Sequence, residues 1–164
     1  MTDWNLIIQG NISLIWLQKC LENENNNIPL DKLLKDYKEN NENIQLINPG
    51  VLMMAAYLLF LYPKESEIIK SDYNDIDFNI FKVHIKGVKR TEESEKQYFT
   101  RRIRNSIAHS SWHIQGNNIV FKDENYKNQK NKNEFSIEIE LPKFGEFINS
   151  FMLSLKNNYY SQRN

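Results

Sequence analysis

The sequence predicts a mainly α fold, a helical bundle with a small antiparallel hairpin or sheet inserted before the last helix. Three observations predict it. Apolar residues recur at helical spacing in several segments, a nearly apolar run lies between two prolines, and one short segment near the C-terminus alternates strictly. The chain has 164 residues. That length suits one domain, expected over residues 1–160, and is enough to bury a core without staples.

Leu6, Ile7, Leu14, Ile15, Leu17 and Leu21 define a first helix ending near Glu22, with Thr2 or Asp3 as its cap and Gly10 as an interruption. Pro29 suits the first turn of a short helix carrying Leu30, Leu33, Leu34 and Tyr37. Pro49 opens a third helix, nearly apolar all round over residues 51–62 and stopped by Pro63. Such a helix is expected to be covered on every side, with Met53, Met54, Tyr57 and Phe60 as packing. Residues 66–87 fit a helix, a short strand or an ordered loop. Thr91 can cap the next helix, Glu92 and Glu93 suit its N-terminal end, and it should run to about Ser110. Residues 113–121 then read as a hairpin with a Gly/Asn turn at Gly116 and Asn117. Residues 122–133 read as a polar loop. Phe135, Ile137, Ile139 and Leu141 alternate with Ser136, Glu138 and Glu140 as a strand ended by Pro142. Phe144, Phe147, Ile148, Phe151, Met152 and Leu155 form the stripe of a last helix, with fraying expected from Asn157.

Twenty-one basic and 21 acidic side chains give a formal net charge of zero. This argues against a protein that holds nucleic acid through bulk charge, but leaves room for a local basic site. The single cysteine, Cys20, excludes an internal disulfide and a cysteine-based metal centre, and is expected as a buried thiol on a helix. The histidines are too dispersed to suggest a metal site. No basic leader and no span-length apolar run is present, which predicts a soluble, cytoplasmic protein without a membrane partner. The Asn-rich residues 23–27 and 40–43 read as solvated connections.

The residues that carry chemistry lie in the fourth helix, in Arg101-Arg102-Ile103-Arg104-Asn105-Ser106-Ile107-Ala108-His109-Ser110. Arg101, Asn105 and His109 share a stripe at intervals of four. Arg104 is displaced from His109 by about 140° around an ideal helix. Histidine transfers protons near neutrality, and arginine offers a planar fork to a phosphate and to charge that develops on it. Asparagine can hold the imidazole or orient a phosphate oxygen. These types suit metal-independent phosphodiester cleavage, with the ribose 2′-hydroxyl as internal nucleophile. By spacing alone they equally suit a structural histidine at a helix end, an inter-helix asparagine and a solvated arginine face, although three arginines in four positions cover more than one face. His113, just past the helix, is the nearest second acid or base and otherwise reads as a strand or turn residue. His84 reads as structural or exposed.

The string RNSIAH, from Arg104 to His109, resembles the signature of the HEPN domain superfamily (higher eukaryotes and prokaryotes nucleotide-binding). That signature is an arginine, commonly followed by a polar residue, four to six intervening residues, and a histidine. Arg104, Asn105 and His109 match it with four residues between arginine and histidine, and Ala108 is also usual. The strand pair ending in EIELPKFGEFINSF is similar to small stand-alone bacterial and plasmid-borne HEPN proteins. The resemblance is closest over the motif helix and extends over residues 91–155; the first third shares only its helical character.

The resemblance implies an RNA-cleaving toxin or defence nuclease that works as a homodimer, with two motif helices meeting to build one composite site without metal or other cofactor. Arg104, Asn105 and His109 would be catalytic, and Arg101 and Arg102 would bind RNA. A cognate antitoxin or nucleotidyltransferase-like protein is the protein partner that such a role implies. Some HEPN proteins do not cut, so the alternatives are a non-catalytic RNA- or nucleotide-binding module and a regulatory partner of a toxin–antitoxin pair.

Overall fold

The computed structural model describes residues 3–23, 26–41, 45–61, 76–125 and 133–161. Among them are five helices and four strands: α1 (Asp3–Glu22), α2 (Leu30–Asn40), α3 (Pro49–Phe60), β1 (Lys82–Ile85), α4 (Glu95–Ala108), β2 (Trp112–Gln115), β3 (Asn118–Asn125), β4 (Asn133–Glu140) and α5 (Leu141–Ser161). The mainly α class with a small antiparallel sheet is therefore as the sequence predicts. The chain divides into two compact units, Met1–Met54 and Ala55–Asn164, with the boundary inside α3. No helix among the described residues is long and apolar enough to cross a membrane.

In the first unit a buried asparagine starts α3 and ties it to α1. Asn48 precedes Pro49, and its Oδ1 accepts from the Val51 N–H at 3.1 Å, an N-cap with proline in the first helical position. Its Nδ2 donates to the Gln9 carbonyl, the Gln45 carbonyl and the Ser13 hydroxyl at 2.9–3.0 Å. Gly10 lets α1 approach α3: a Cβ there would meet the Met54 sulfur at 2.6 Å. The glycine is thus a packing residue within a continuous helix. Cys20 sits on α1 but is only half-buried.

Three expectations for helices change. In α3 Leu52, Met53, Ala56 and Phe60 are buried, whereas Met54, Tyr57 and Leu58 are exposed, Leu58 by 67%. Met53, Ala56 and Phe60 follow the i, i+3, i+7 stripe, and Met54 and Leu58 fall on the opposite side, so the apolar run does not mean cover on every side. Met152 of α5 is exposed for the same reason, off the buried stripe of Phe144, Phe147, Ile148 and Phe151. The backbone of α5 stays helical to Ser161, past Asn157.

In the second unit the sheet is antiparallel with strand order β1-β4-β3-β2. Its inner face carries Ile119, Phe121, Phe135, Ile137 and Ile139, all buried. Phe135 meets Tyr98 and Phe99 of α4 edge-on, and Phe121 meets Phe144 of α5 at 5.3 Å between centroids. The ambiguous region from residue 66 resolves, in its described part, into the edge strand β1; residues 66–75 lie outside the described residues. Of the loop expected at residues 122–133, residues 122–125 belong to β3 and Asn133 to β4, and residues 126–132 lie outside the described residues.

Helix α4 starts later than Thr91. Ser94 is its N-cap, accepting from the Gln97 N–H at 3.2 Å while the Gln97 side chain accepts from the Ser94 N–H at 2.9 Å, a reciprocal capping box. It also ends earlier than Ser110. The Ser110 N–H donates to the Ile107 carbonyl and the Ser111 N–H to the Ser106 carbonyl, the paired bonds of a Schellman stop, with His109 as C-cap. Ser110 occupies the left-handed position with φ 51°, usually given to glycine. Replacing Ser110 with glycine is expected to raise stability by about 0.5–1 kcal/mol, and replacing it with valine to lower it by about 1 kcal/mol or more. Urea denaturation checks both signs.

Candidate functional site

His109 stands where α4 ends and the chain turns into β2. Its N–H donates to the Asn105 carbonyl at 2.9 Å and its ring is exposed. The turn is held from below by Ser106, which is fully buried. The Ser106 hydroxyl donates to the Ser111 carbonyl at 2.7 Å and accepts from the Lys122 N–H at 3.1 Å. Helix end, turn and β3 are therefore tied together through the Ser106 hydroxyl, which holds the backbone that carries the imidazole.

Two clefts meet at His109. One, of about 400 Å³, lies along α4 and includes Lys89, Arg90, Arg101, Arg102, Asn105 and Asn133. The other, of about 590 Å³, lies on the hairpin side and includes Ser110, Ser111, Trp112, His113 and Lys122. His109, Asp123 and Glu124 line both.

The floor of the first cleft is an ion pair. Arg102 is 1% exposed, and its Nη1 donates to Asp123 Oδ2 at 2.7 Å. Its Nη2 donates to the Asn133 carbonyl at 3.1 Å and to the Asn133 side-chain oxygen. The guanidinium lies 5.5 Å from the Tyr98 ring centroid and 5.8 Å from that of Phe135. Asn133 in turn binds both polar groups of the Val88 backbone, accepting from its N–H at 2.8 Å and donating to its carbonyl at 3.0 Å. Gly87 closes this corner: a Cβ there would collide with the Asn133 side chain and stand 2.7 Å from Arg102 Nη2. Arg102, expected to contact RNA, is instead a buried internal partner, because position 102 falls on the face of α4 that also carries Tyr98 and Ser106.

Arg101 is also engaged within the chain. Its fork meets Glu93, Nε to Oε1 at 2.6 Å and Nη2 to Oε2 at 2.8 Å, with both side chains largely buried. These hydrogen bonds from Arg101 hold the Glu93 carboxyl below its usual range, against desolvation, and raise the Arg101 value in return. Asn105 donates from Nδ2 to Asp123 Oδ2 at 3.2 Å, so its amide steadies the carboxylate. Arg104 is half-buried and is not among the residues that line either cleft. The structure thus brings Arg101, Arg102, Asn105 and His109 together and sets Arg104 on another face of the same helix. It adds exposed Lys89 and Arg90, and joins His113 and Lys122 to His109 across the turn. His84 pairs with Glu138 at 2.7 Å on the sheet, which lowers the Glu138 value.

A helical chain whose motif helix ends in R-N-x3-H, followed by antiparallel strands and a last helix, has the organisation of a HEPN domain protein. The chain belongs to the family described as HEPN pEK499 p136, whose family model matches residues 1–162. No curated protein and no solved structure shows a match.

Two outcomes follow from these pairs. Arg102→Ala and Asp123→Ala should each cost about 3–5 kcal/mol, because each strands a buried charge, and the double variant should cost less than the sum. Urea denaturation of the three variants measures the coupling. The depressed Glu93 value means that its contribution to stability is present above the ordinary carboxylate range and is lost as pH falls through the folded-state value. Glu93→Gln should therefore flatten the acid limb of stability against pH while leaving the neutral-to-basic limb parallel to the parent.

Proposed function

We propose that the protein is a metal-independent endoribonuclease of HEPN type, serving as a toxin or anti-phage effector in the cytoplasm. The observation that carries this reading is an exposed imidazole at the junction of two clefts, with Lys89 and Arg90 on one side and Lys122 on the other. In the reaction the 2′-oxygen bonds to phosphorus, its proton passes to a base, and the bond from phosphorus to the 5′-oxygen breaks. An acid gives that oxygen a proton, so the products are a 2′,3′-cyclic phosphate and a 5′-hydroxyl. His109 is one of the two proton-transfer groups. Asn105 holds Asp123 in place and so orders the floor beneath it.

Arg104 has its place through a second copy. It sits off its own chain's clefts, on the face of α4 that continues to exposed Ala108. A two-fold pairing of α4 with its copy carries each Arg104 toward the other chain's His109, where its fork can grip the phosphate and the charge developing on it. The small Ala108 side chain permits close approach of the helices.

Single-stranded and structured RNA, incubated with protein in excess chelator, should be cleaved. His109→Ala should lower the rate by about 10²–10⁴-fold. Mixing inactive His109→Ala and Arg104→Ala variants should restore part of the activity, since each mixed dimer keeps one intact His109–Arg104 pairing across the axis. Intact RNA at high protein concentration counts against the enzyme reading. RNA binding that survives His109→Ala, with no product at any pH, identifies a binding module instead. A monomer by light scattering at micromolar concentration that still cleaves removes the composite site.

A further inference from the structure

The cleft on the hairpin side has a composition that the motif alone does not explain. His113 lies on β2 opposite Val120, with Trp112 opposite Phe121, and the Lys122 N–H is bonded to the Ser111 carbonyl at 2.8 Å. Strand alternation puts His113 and Lys122 on the same, outer face of the sheet as diagonal neighbours. Both are exposed, and both line the cleft that His109 closes. One chain thus presents two imidazoles and an ammonium around a single concavity of about 590 Å³.

We infer that this cleft is where the scissile phosphate lies, with His113 as the second proton-transfer residue and Lys122 as a cation on the non-bridging oxygens. The inference rests on the ribonuclease reading and names its missing partner. Cleavage of the 2′-OH to 5′-O type needs one group to take a proton and another to give one, and imidazole is a side chain that can do either. Other ionisable groups face the same space. Asp123 is neutralised by Arg102 beneath it. Glu124 lies on the outer face beside Lys122 and lines the cleft together with His109, so one carboxylate faces the same concavity as the three basic side chains. From the adjoining cleft, Lys89 and Arg90 meet the continuing strand, so RNA passing over His109 runs between two basic flanks.

The test uses the full chain and has two independent readouts. The first is cleavage of a single-stranded RNA oligomer against pH, for the parent, His113→Gln and Lys122→Gln. Both substitutions are at exposed positions and should leave thermal denaturation unchanged. The parent should give a bell-shaped profile. His113→Gln should fall at least 100-fold at the optimum and lose one limb of the bell, and Lys122→Gln should fall about tenfold with both limbs retained. The second readout is a proton NMR titration of the histidine ring signals with uridine 3′-monophosphate. The His109 and His113 signals should both move when the nucleotide is bound. His84, on the edge strand at the other side of the sheet, should stay still. Cleavage that depends on His109 but keeps its rate and both limbs in His113→Gln, with a motionless His113 signal, overturns this inference and leaves the ribonuclease reading intact. Absence of cleavage with both signals moved overturns the ribonuclease reading and supports the cleft as a nucleotide phosphate site. Absence of both effects overturns the two together.

Discussion

The buried pair between Arg102 and Asp123 is the constraint on which the functional half of the molecule depends. Two charges removed from water are tolerated when they face each other closely and most of their remaining hydrogen-bonding groups find partners. Here that demand recruits most of the neighbourhood. Asp123 accepts from Arg102 and Asn105, and Arg102 donates to both oxygens of Asn133. Asn133 clamps the backbone at Val88, and Gly87 gives the arginine room. Four separate stretches of chain are thus fixed relative to one another by one guanidinium. Arg102 Nε has no hydrogen-bond partner, so the pair rests on the two Nη groups. These bonds form only in one register of β3 against β4 and one rotation of α4, so the network specifies the walls of the first cleft as well as its floor.

The same network explains how a protein of zero net charge offers basic surface at one place. Arg101 and Arg102 are committed to Glu93 and Asp123. Their charges are neutralised inside, where they order the structure. The exposed cations beside His109 come from elements outside the motif, Lys89 and Arg90 before α4 and Lys122 on β3. A charge count by segment would assign the basic character to the arginine-rich helix. The fold assigns it to the segments that flank the helix.

Much of the architecture was legible because it rests on periodicity. The alternation from Phe135 to Ile139 and the stripe from Phe144 to Phe151 both reproduce their buried faces. The features that escaped share a physical cause, which is that local pattern does not report the partner. β3 read as a loop beyond Phe121 because its inward position 123 carries a carboxylate, and nothing local reveals that Arg102 awaits it. β1 read ambiguously because an exposed edge strand needs no apolar alternation. Thr91 and Ser94 are both good caps, and the choice lay in Gln97, three residues after Ser94, which completes the reciprocal pair. The distinction among the arginines was partly available. Tyr98, Ile103 and Ile107 define the apolar side of α4, and position 102 falls within that side while position 104 does not. What no helical wheel could supply is His113, whose nearness to His109 depends on the turn that follows.

That turn makes the candidate site inexpensive to assemble. Only Ser110, Ser111 and Trp112 separate the two histidines, and a hairpin returns Lys122 to the same place within a further nine residues. Loop-closure entropy grows with the length of chain enclosed, so contacts of such short separation cost little to form. The Schellman bonds, the Ser106 bridge and the two-residue hairpin turn supply rigidity at that short range. All the residues that line the two clefts fall between Val88 and Asn133. The two longest closures, Val88–Asn133 and Arg102–Asn133, both end at Asn133, and the second belongs to the buried ion-pair network. The candidate clefts of one chain are thus confined to a locally folded block, and its long-range ties meet at Asn133.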